Sequence, residues 1–96
     1  MSPVGIEKLK LLQDELKIFP VPAGNSVELM IENKELVEDF NKLIVYNQLG
    51  QFIREQEVRF SEGSVKVDTR DLSEGGYFIE LRGNEGVVRK RFVVAR

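Results

Sequence analysis

The sequence predicts an all-β fold, a sandwich or small barrel of about seven short strands. From Leu16 onward, short apolar or alternating runs recur about every eight to twelve residues, with turn-forming residues between them. The chain has 96 residues, of which 42% are hydrophobic, so it suits one domain with a single core. There are no internal repeats that would indicate a solenoid or a propeller.

The first two strands are marked by an apolar run and then by alternation. Residues 16–19 form the first predicted strand, and the Pro20-Val21-Pro22 step ends it. These prolines also match a polyproline ligand, but we favour the end of an edge strand, because each proline removes a backbone donor. Residues 27–32 alternate, and their apolar face is expected to be core. The residues on that face are Val27, Leu29 and Ile31.

The middle of the chain predicts a hairpin and a further strand. Residues 40–46 and 51–57 are strand-like, and the Asn-Gln-Leu-Gly turn at residues 47–50 joins them. Phe60 is expected to close another short strand. Residues 65–68 alternate again, which predicts a strand of their own.

The strongest predicted hairpin is the last one, formed by residues 76–82 and 87–95. Alternation places Arg89 and Arg91 on the polar face of its second strand, whereas Lys90 shares the more apolar face. Lys90 is therefore expected either to extend to the sheet margin or to lie at a bulge. Three adjacent cations suit an edge protected against aggregation or a recognition surface, and the pattern leaves both open.

The start of this hairpin carries two glycines and a tyrosine. Gly75 and Gly76 allow positive φ angles where the chain turns sharply into a strand. Tyr77 is expected to be buried, with its hydroxyl bonded to a neighbouring loop, as at the corners of sandwiches. These roles define the fold and imply no activity.

The segment before the first strand has a helical spacing. Its apolar residues recur at three- and four-residue intervals, and they are Ile6, Leu9, Leu12 and Leu16. An isolated helix of this length is marginal in water. We therefore divide the chain into residues 1–15, a linker or partly helical lead-in segment, and residues 16–96, the folded domain.

Two missing residue types limit the chemistry of the chain. It contains no Cys and no His, so it offers no cysteine-based zinc site, no Cys nucleophile and no Ser-His pair. Carboxylates remain as acid-base groups, but their spacing does not match a calcium loop, and we expect solvated loops. These carboxylates are Glu35, Glu38, Asp39, Asp68 and Asp71.

The charge and hydropathy patterns argue against nucleic-acid and membrane roles. The net charge of -2 gives no basic field for a phosphate backbone. No apolar run approaches the roughly 20 residues of a membrane span. Residues 1–5 lack the basic start of a signal peptide, so we expect either a cytosolic protein or part of a longer chain.

Four segments, in this order, resemble the type A C-terminal sorting domain of the type IX (Por) secretion system of Bacteroidetes. Residues 16–23 read Leu-Lys-Ile-Phe-Pro-Val-Pro-Ala, similar to the opening hydrophobic-aromatic-Pro-x-Pro-Ala element of that family. Residues 43–51 are similar to its central strand, turn and glycine. Residues 72–77, Leu-Ser-Glu-Gly-Gly-Tyr, fit its Leu-x-x-Gly-x-Tyr motif, and residues 90–94, Lys-Arg-Phe-Val-Val, resemble its closing strand.

The resemblance implies an immunoglobulin-like antiparallel β-sandwich over residues 16–96 that is not an enzyme and needs no cofactor. In the family, such a domain directs a larger cargo protein through the periplasm and across the outer membrane to the cell surface or the medium. The implied partners are the outer-membrane translocon and a sortase-like protease, which removes the domain in the linker before Leu16.

We expect a partner to dock on the last hairpin, or to add a strand to its edge. The residues expected to shape the hairpin or to contact the partner are Gly75, Gly76, Tyr77, Lys90, Arg91, Phe92, Val93, Val94 and Arg96. Two other functions remain open. An extracellular adhesive or carbohydrate-binding module would need exposed aromatic residues, and a structural spacer would tolerate neutral substitution of Lys90 and Arg91. Homodimerisation through an edge strand is also open.

Overall fold

Seven strands form two antiparallel sheets within residues 6–20, 23–60, 63–84 and 86–95, the parts of the chain that the computed structural model describes. One sheet has the order β1-β2-β5 and the other the order β4-β3-β6-β7. The strands are β1 (Lys17–Phe19), β2 (Ser26–Met30), β3 (Lys42–Asn47), β4 (Phe52–Glu57), β5 (Ser64–Asp68), β6 (Gly75–Gly83) and β7 (Gly86–Val94). The predicted all-β fold of about seven strands is therefore confirmed.

The core lies between the two sheets and follows the period of two along each strand. The predicted core face of residues 27–31 is confirmed, since all three of its apolar side chains are buried. The residues that the strands contribute to the core are Val27, Leu29, Leu43, Val45, Val65, Val67, Tyr77, Ile79, Leu81, Val88, Phe92 and Val94.

The connection between β2 and β3 differs from the sequence expectation at its end. A short 3₁₀ helix, Lys34–Val37, lies in this connection, and the side chain of Asn33 caps it by accepting a hydrogen bond from the amide of Glu35. Phe40 is buried in the core, but the strand begins only at Lys42. Apolar character alone therefore placed the start of this strand too early.

The hairpin of β3 and β4 is confirmed, and its turn is built around Asn47. The Asn47 Oδ1 atom accepts hydrogen bonds from the amides of Leu49, at 2.9 Å, and Gln51, at 3.0 Å. Gly50 adopts a φ of 83°, which completes the turn. Phe60, in contrast, lies in no strand, and its half-buried ring packs against the core from an irregular segment.

The segment before β1 forms the helix α1, Ile6–Glu15, which packs on the sandwich. Leu12 and Leu16 belong to the same core cluster as the strands, and Leu12 is fully buried. Gln13 Nε2 donates a 2.9 Å hydrogen bond to the carbonyl of Arg89 on β7. This tertiary packing stabilises a helix that would be marginal alone.

Leu12→Ala tests whether α1 is part of the folded unit. Removing a fully buried leucine side chain is expected to lower the free energy of unfolding by about 2–4 kcal/mol. Leu11→Ala is the matched control, because Leu11 is 48% exposed on the same helix. Urea unfolding measures both variants, and equal midpoints for the two would show that α1 does not pack on the core.

Candidate functional site

The two glycines at the start of β6 have different roles. Gly75 has a φ of 146°, where L side chains are strained, although a Cβ atom there would have open space. Gly76 has an ordinary φ, but a Cβ would lie 3.0 Å from Gln48 Oε1 and 3.3 Å from Arg91 Nη2. The predicted positive φ is thus confirmed at Gly75, whereas at Gly76 the missing side chain leaves room for two neighbouring side chains.

Tyr77 closes the corner that leads into β6. Its hydroxyl donates a 2.6 Å hydrogen bond to the carbonyl of Ser73, and its ring is buried. The ring stacks on Phe92 of β7, with centroids 5.6 Å apart and planes inclined by 26°. The predicted corner tyrosine is therefore confirmed, and it joins the loop before β6 to the last strand.

Strand β7 divides the predicted recognition residues between two faces. Phe92 and Val94 are buried in the core, Val93 is half-buried, and Arg91 is exposed on the outer face. The pairing with β6 runs without a register shift from Gly75 opposite Val94 to Gly83 opposite Gly86. Lys90 is half-buried on the inner face. Because the pairing has no register shift, the bulge that was one of its two expected placements does not occur. Arg96 lies outside the described residues.

The outer edge of β7 is partly occupied by the chain itself. The amide of Ala23 donates to the carbonyl of Val93 at 2.7 Å, and the amide of Ala95 donates to the carbonyl of Ala23 at 3.0 Å. The hydrogen bond from Gln13 reaches the same strand at Arg89. An added strand would have to displace these contacts, so the face of the hairpin is more accessible to a partner than its edge.

A charged cluster that the sequence did not predict lies on the outer face of the four-stranded sheet. The Glu80 carboxylate accepts a 2.8 Å hydrogen bond from Arg82 Nε and a 2.9 Å hydrogen bond from Arg89 Nη2. The hydroxyl of Tyr46 on β3 donates to the same carboxylate at 3.3 Å. The Arg89 guanidinium also lies 5.6 Å from the centroid of the Tyr46 ring, a cation-π contact. The contact between Glu80 and Arg89 could have been predicted from the sequence, since the hairpin register places these two residues opposite each other.

The surroundings of Glu80 fix its protonation state. Its side chain is only 4% exposed, and this burial alone would raise the pKa. Hydrogen bonds from Arg89 and Arg82 outweigh the burial, so the pKa of Glu80 lies below its ordinary value. The same ion pair raises the pKa of Arg82 above its ordinary value. Glu80 is therefore ionised at neutral pH and serves as the centre of an ion-pair network.

The loop carboxylates noted in the sequence are exposed or paired. The Asp68 carboxylate binds Arg70, and this hydrogen bond lowers the pKa of Asp68 to about 2. Asp71 lies 3.3 Å from Arg54 Nη1. Asp39 differs from the expected solvated loop, because it is half-buried and its Oδ2 atom accepts a 3.0 Å hydrogen bond from the amide of Asn84. Glu35 and Glu38 are exposed.

The described parts of the chain contain neither a metal-binding cluster nor a membrane-spanning helix. No group of three or more carboxylates, His or Cys lies close enough there to hold a metal ion. No helix there has the length and apolar character needed to span a membrane.

A match to a known protein family identifies this sandwich. The sequence profile of the secretion system C-terminal sorting domain matches residues 17–95. The chain belongs to this family. As a type IX sorting domain, it carries a signal for export to the cell surface or for secretion, and it interacts with the secretion machinery.

Solved structures similar to the sorting domain agree on its fold. A DUF3244 family protein from Bacteroides vulgatus, described as an immunoglobulin-like β-sandwich, matches with a TM-score of 0.60 and 11% identity, covering 84% of this chain and 97% of that chain. The CBM51-2 and INT domains of Clostridium perfringens ZmpB match with a TM-score of 0.56 and 25% identity, covering 76% of this chain and 17% of that chain. No curated protein matches significantly. The immunoglobulin-like sandwich expected from the family resemblance is therefore confirmed.

Gly75→Ala tests the backbone requirement at the corner. Alanine at a φ of 146° is expected to cost about 1–2 kcal/mol of unfolding free energy. Gly24→Ala is the matched control, since a Cβ there also meets nothing within 4 Å and its φ lies outside the strained range. Chemical denaturation of both variants gives the comparison. A loss at Gly24 as large as that at Gly75 would exclude backbone strain as the cause.

Glu80→Gln tests the ion-pair network through pH. Because the folded-state pKa of Glu80 lies below its ordinary value of 4.5, its stabilisation is present above about pH 4.5 and is lost as the pH falls through the folded-state pKa. The variant is expected to be about 1 kcal/mol less stable at pH 7 and to lose less stability on acidification.

Thermal unfolding between pH 7 and pH 3 provides the measurement. Glu57→Gln is the control, because Glu57 is exposed and forms no ion pair with another described residue. Asp68 titrates in every variant, so it cancels in the comparison. Parallel pH profiles for wild type and Glu80→Gln would contradict the assignment.

Proposed function

We propose that this domain is a non-catalytic sorting signal. An outer-membrane translocon binds it as a folded domain after its cargo has entered the periplasm. The observation that carries the proposal is the coincidence of the family match, residues 17–95, with the sandwich from β1 to the end of β7. The matched region thus contains both packed sheets of the sandwich, and these define its surface.

The chemistry of the buried carboxylate supports a role without catalysis. Both oxygens of Glu80 accept hydrogen bonds, from Arg82 and Tyr46 on one side and from Arg89 on the other. A general acid or base needs a pKa near the working pH, whereas the pKa of Glu80 is lowered. The arrangement suits a structural ion pair.

The placement of the predicted recognition residues supports two different roles within one hairpin. Gly75, Tyr77 and Phe92 shape the corner and the core, so substitutions there would act through folding. Arg91 is exposed on the outer face and lies within reach of a partner, whereas Lys90 is half-buried on the inner face. We therefore assign recognition to the outer face of the hairpin and its support to the buried residues.

The position of α1 bears on the removal of the domain by a sortase-like protease. Proteases act on accessible, extended chain, and α1 is helical with Leu12 and Leu16 in the core. Cleavage therefore takes place on the N-terminal side of α1, or after the helix has left the sandwich. In the second case, release of α1 would also remove the hydrogen bond from Gln13 to β7.

The alternative functions receive less support from the same features. The immunoglobulin-like relatives fit the fold and do not favour an adhesive or carbohydrate-binding module. Homodimerisation through an edge strand stays a proposal. Since part of the β7 edge is already bonded, the strand that suits it in the four-stranded sheet is β4.

Export of a reporter tests the sorting role. We expect a periplasmic reporter fused to residues 1–96 to reach the medium or the cell surface in a strain with type IX secretion. The control is the reporter without the domain, which should remain in the periplasm. Cell fractionation and immunoblotting measure the distribution, and retention of a folded fusion inside the cell would contradict the proposal.

Deletion of the last residues is a poor test of the same idea. Phe92 and Val94 are core residues, so their removal would unfold the sandwich whether or not a partner reads them. Point substitutions on the exposed face are therefore the informative variants.

A further inference from the structure

The outer face of β6 and β7 has a charge opposite to that of the whole chain. The chain carries a net charge of -2, but this part of the sheet presents three arginines and one carboxylate. These residues are Arg82, Arg89, Arg91 and Glu80. The hairpin face is therefore locally cationic on an acidic protein, which is the pattern of a surface that attracts an acidic partner.

Among the described residues, Arg91 is the arginine of this face that forms no ion pair. Glu80 is already bonded to Arg82 and Arg89, whereas Arg91 forms no ion pair or hydrogen bond with another residue in the described parts of the chain. Its Nη2 atom would lie 3.3 Å from a Cβ atom at position 76, and Gln48 Oε1 would lie 3.0 Å from the same Cβ. The N–H groups of the Arg91 guanidinium therefore make no hydrogen bond to another described residue and can bind a ligand.

A shallow concavity lies beside this guanidinium. It has a volume of about 310 Å³ and combines aromatic and apolar walls with the side chain of Arg89. Its size is near the lower end of the usual range for ligand sites, so it admits one or two side chains. The residues that line it are Tyr46, Gln48, Leu49, Gly50, Phe78 and Arg89. Arg91 pairs directly with Phe78 across the two strands, which places it next to the concavity.

We propose that this site, the concavity together with Arg91, binds an acidic segment of a partner protein in which a carboxylate stands beside an apolar or aromatic side chain. The carboxylate pairs with Arg91, and the apolar side chain enters the concavity between Tyr46 and Phe78. The proposal rests on the proposed function, since it names the chemistry of the surface that the secretion machinery reads.

The charges on the rest of the sheet select a short peptide over a long polyanion. Glu55 and Glu57 on β4 lie on the same outer face, opposite Ile44 and Lys42 of β3. Neighbouring strands are about 4.8 Å apart, so this acidic border is about 14 Å from β7. Lys42 Nζ on the same face lies 3.7 Å from Glu55, so Glu57 is the carboxylate of this border that forms no ion pair among the described residues. The border therefore does not extend the cationic surface across the sheet for a nucleic acid or an anionic polysaccharide, whereas a few residues of acidic peptide fit within the cationic part.

A peptide titration tests the site on the full chain. The probe is the peptide Gly-Asp-Phe-Asp-Gly-Asp-Leu-Asp, and the matched probe has Asn in place of each Asp. In NMR titrations, we expect the acidic peptide to shift the amide signals of Gly76, Phe78 and Arg91, and the Asn peptide to shift none of them. The absence of shifts with the acidic peptide at millimolar concentration, or equal binding of both peptides, would overturn the proposal.

Variants then assign the interaction to Arg91. Arg91→Gln is expected to weaken binding of the acidic peptide about fivefold, and Arg91→Lys, which keeps the charge but not the fork of donors, about twofold. Arg59→Gln removes the same charge from an exposed position after β4 and should leave binding unchanged. Arg91 contacts no other described side chain by an ion pair, so the variants should unfold at the wild-type temperature. Unchanged binding by Arg91→Gln would overturn the assignment.

Two further measurements separate this site from other ligands and from the sorting role. Binding of a heparin fragment or of anionic lipid vesicles that depends on Arg91, in the absence of peptide binding, would overturn the peptide proposal in favour of a polyanion or membrane site. In the export experiment, the unaltered fusion tests the sorting role, and Arg91→Gln tests the site. Normal export of both fusions would overturn the proposed binding site and leave the sorting role intact. Reduced export of the Arg91→Gln fusion would support the site.

Discussion

The hydrogen bond from the Tyr77 hydroxyl to the carbonyl of Ser73, together with the stacking of Tyr77 on Phe92, fixes the corner on which the last hairpin depends. The bond holds the loop before β6 against the start of the strand, and the ring contact joins that start to β7. Because Tyr77 and Phe92 are both buried, truncating either ring would leave a cavity in the core. The register of the nine-residue strands β6 and β7 follows from this anchored corner and from the turn at the other end.

The two faces of the hairpin have different surroundings. The inner face carries Phe92, the largest of the fully buried side chains among the described residues, and closes the core. The outer face carries the Glu80 network and Arg91. Since side chains alternate strictly in a strand, a shift of one residue in the register would place arginines in the core and Phe92 in water. Core packing therefore determines which cations lie on the outer face.

Local patterns predicted most of the strands, because alternation, turn residues and glycines act over a few positions. The core face of β2, the hairpin of β3 and β4 and the buried Tyr77 are of this kind. The packing of α1 was beyond such patterns, since a helix of ten residues is stabilised by contacts with β7, far away in the sequence. The prediction of a short strand at Phe60 was wrong for a related reason. Its ring packs against the core from an irregular segment, and apolar character alone does not distinguish such a segment from a strand.

The Glu80 network shows where sequence reasoning stops at the candidate site. The pairing of Glu80 with Arg89 follows from the hairpin register, but Tyr46 joins the carboxylate from 34 positions away, and only the sheet order brings it there. Gly76 shows the same limit, because its role depends on the side chains of Gln48 and Arg91 that meet above it.

The consequence is that the Leu-x-x-Gly-x-Tyr segment and the basic strand are parts of one arrangement. Gly75 and Tyr77 fix the corner, the corner fixes the register of β7, and the register places Arg91 over Gly76, beside the concavity. A change in the corner would therefore alter the proposed recognition site through geometry, even though Gly75 and Tyr77 themselves need not touch a partner.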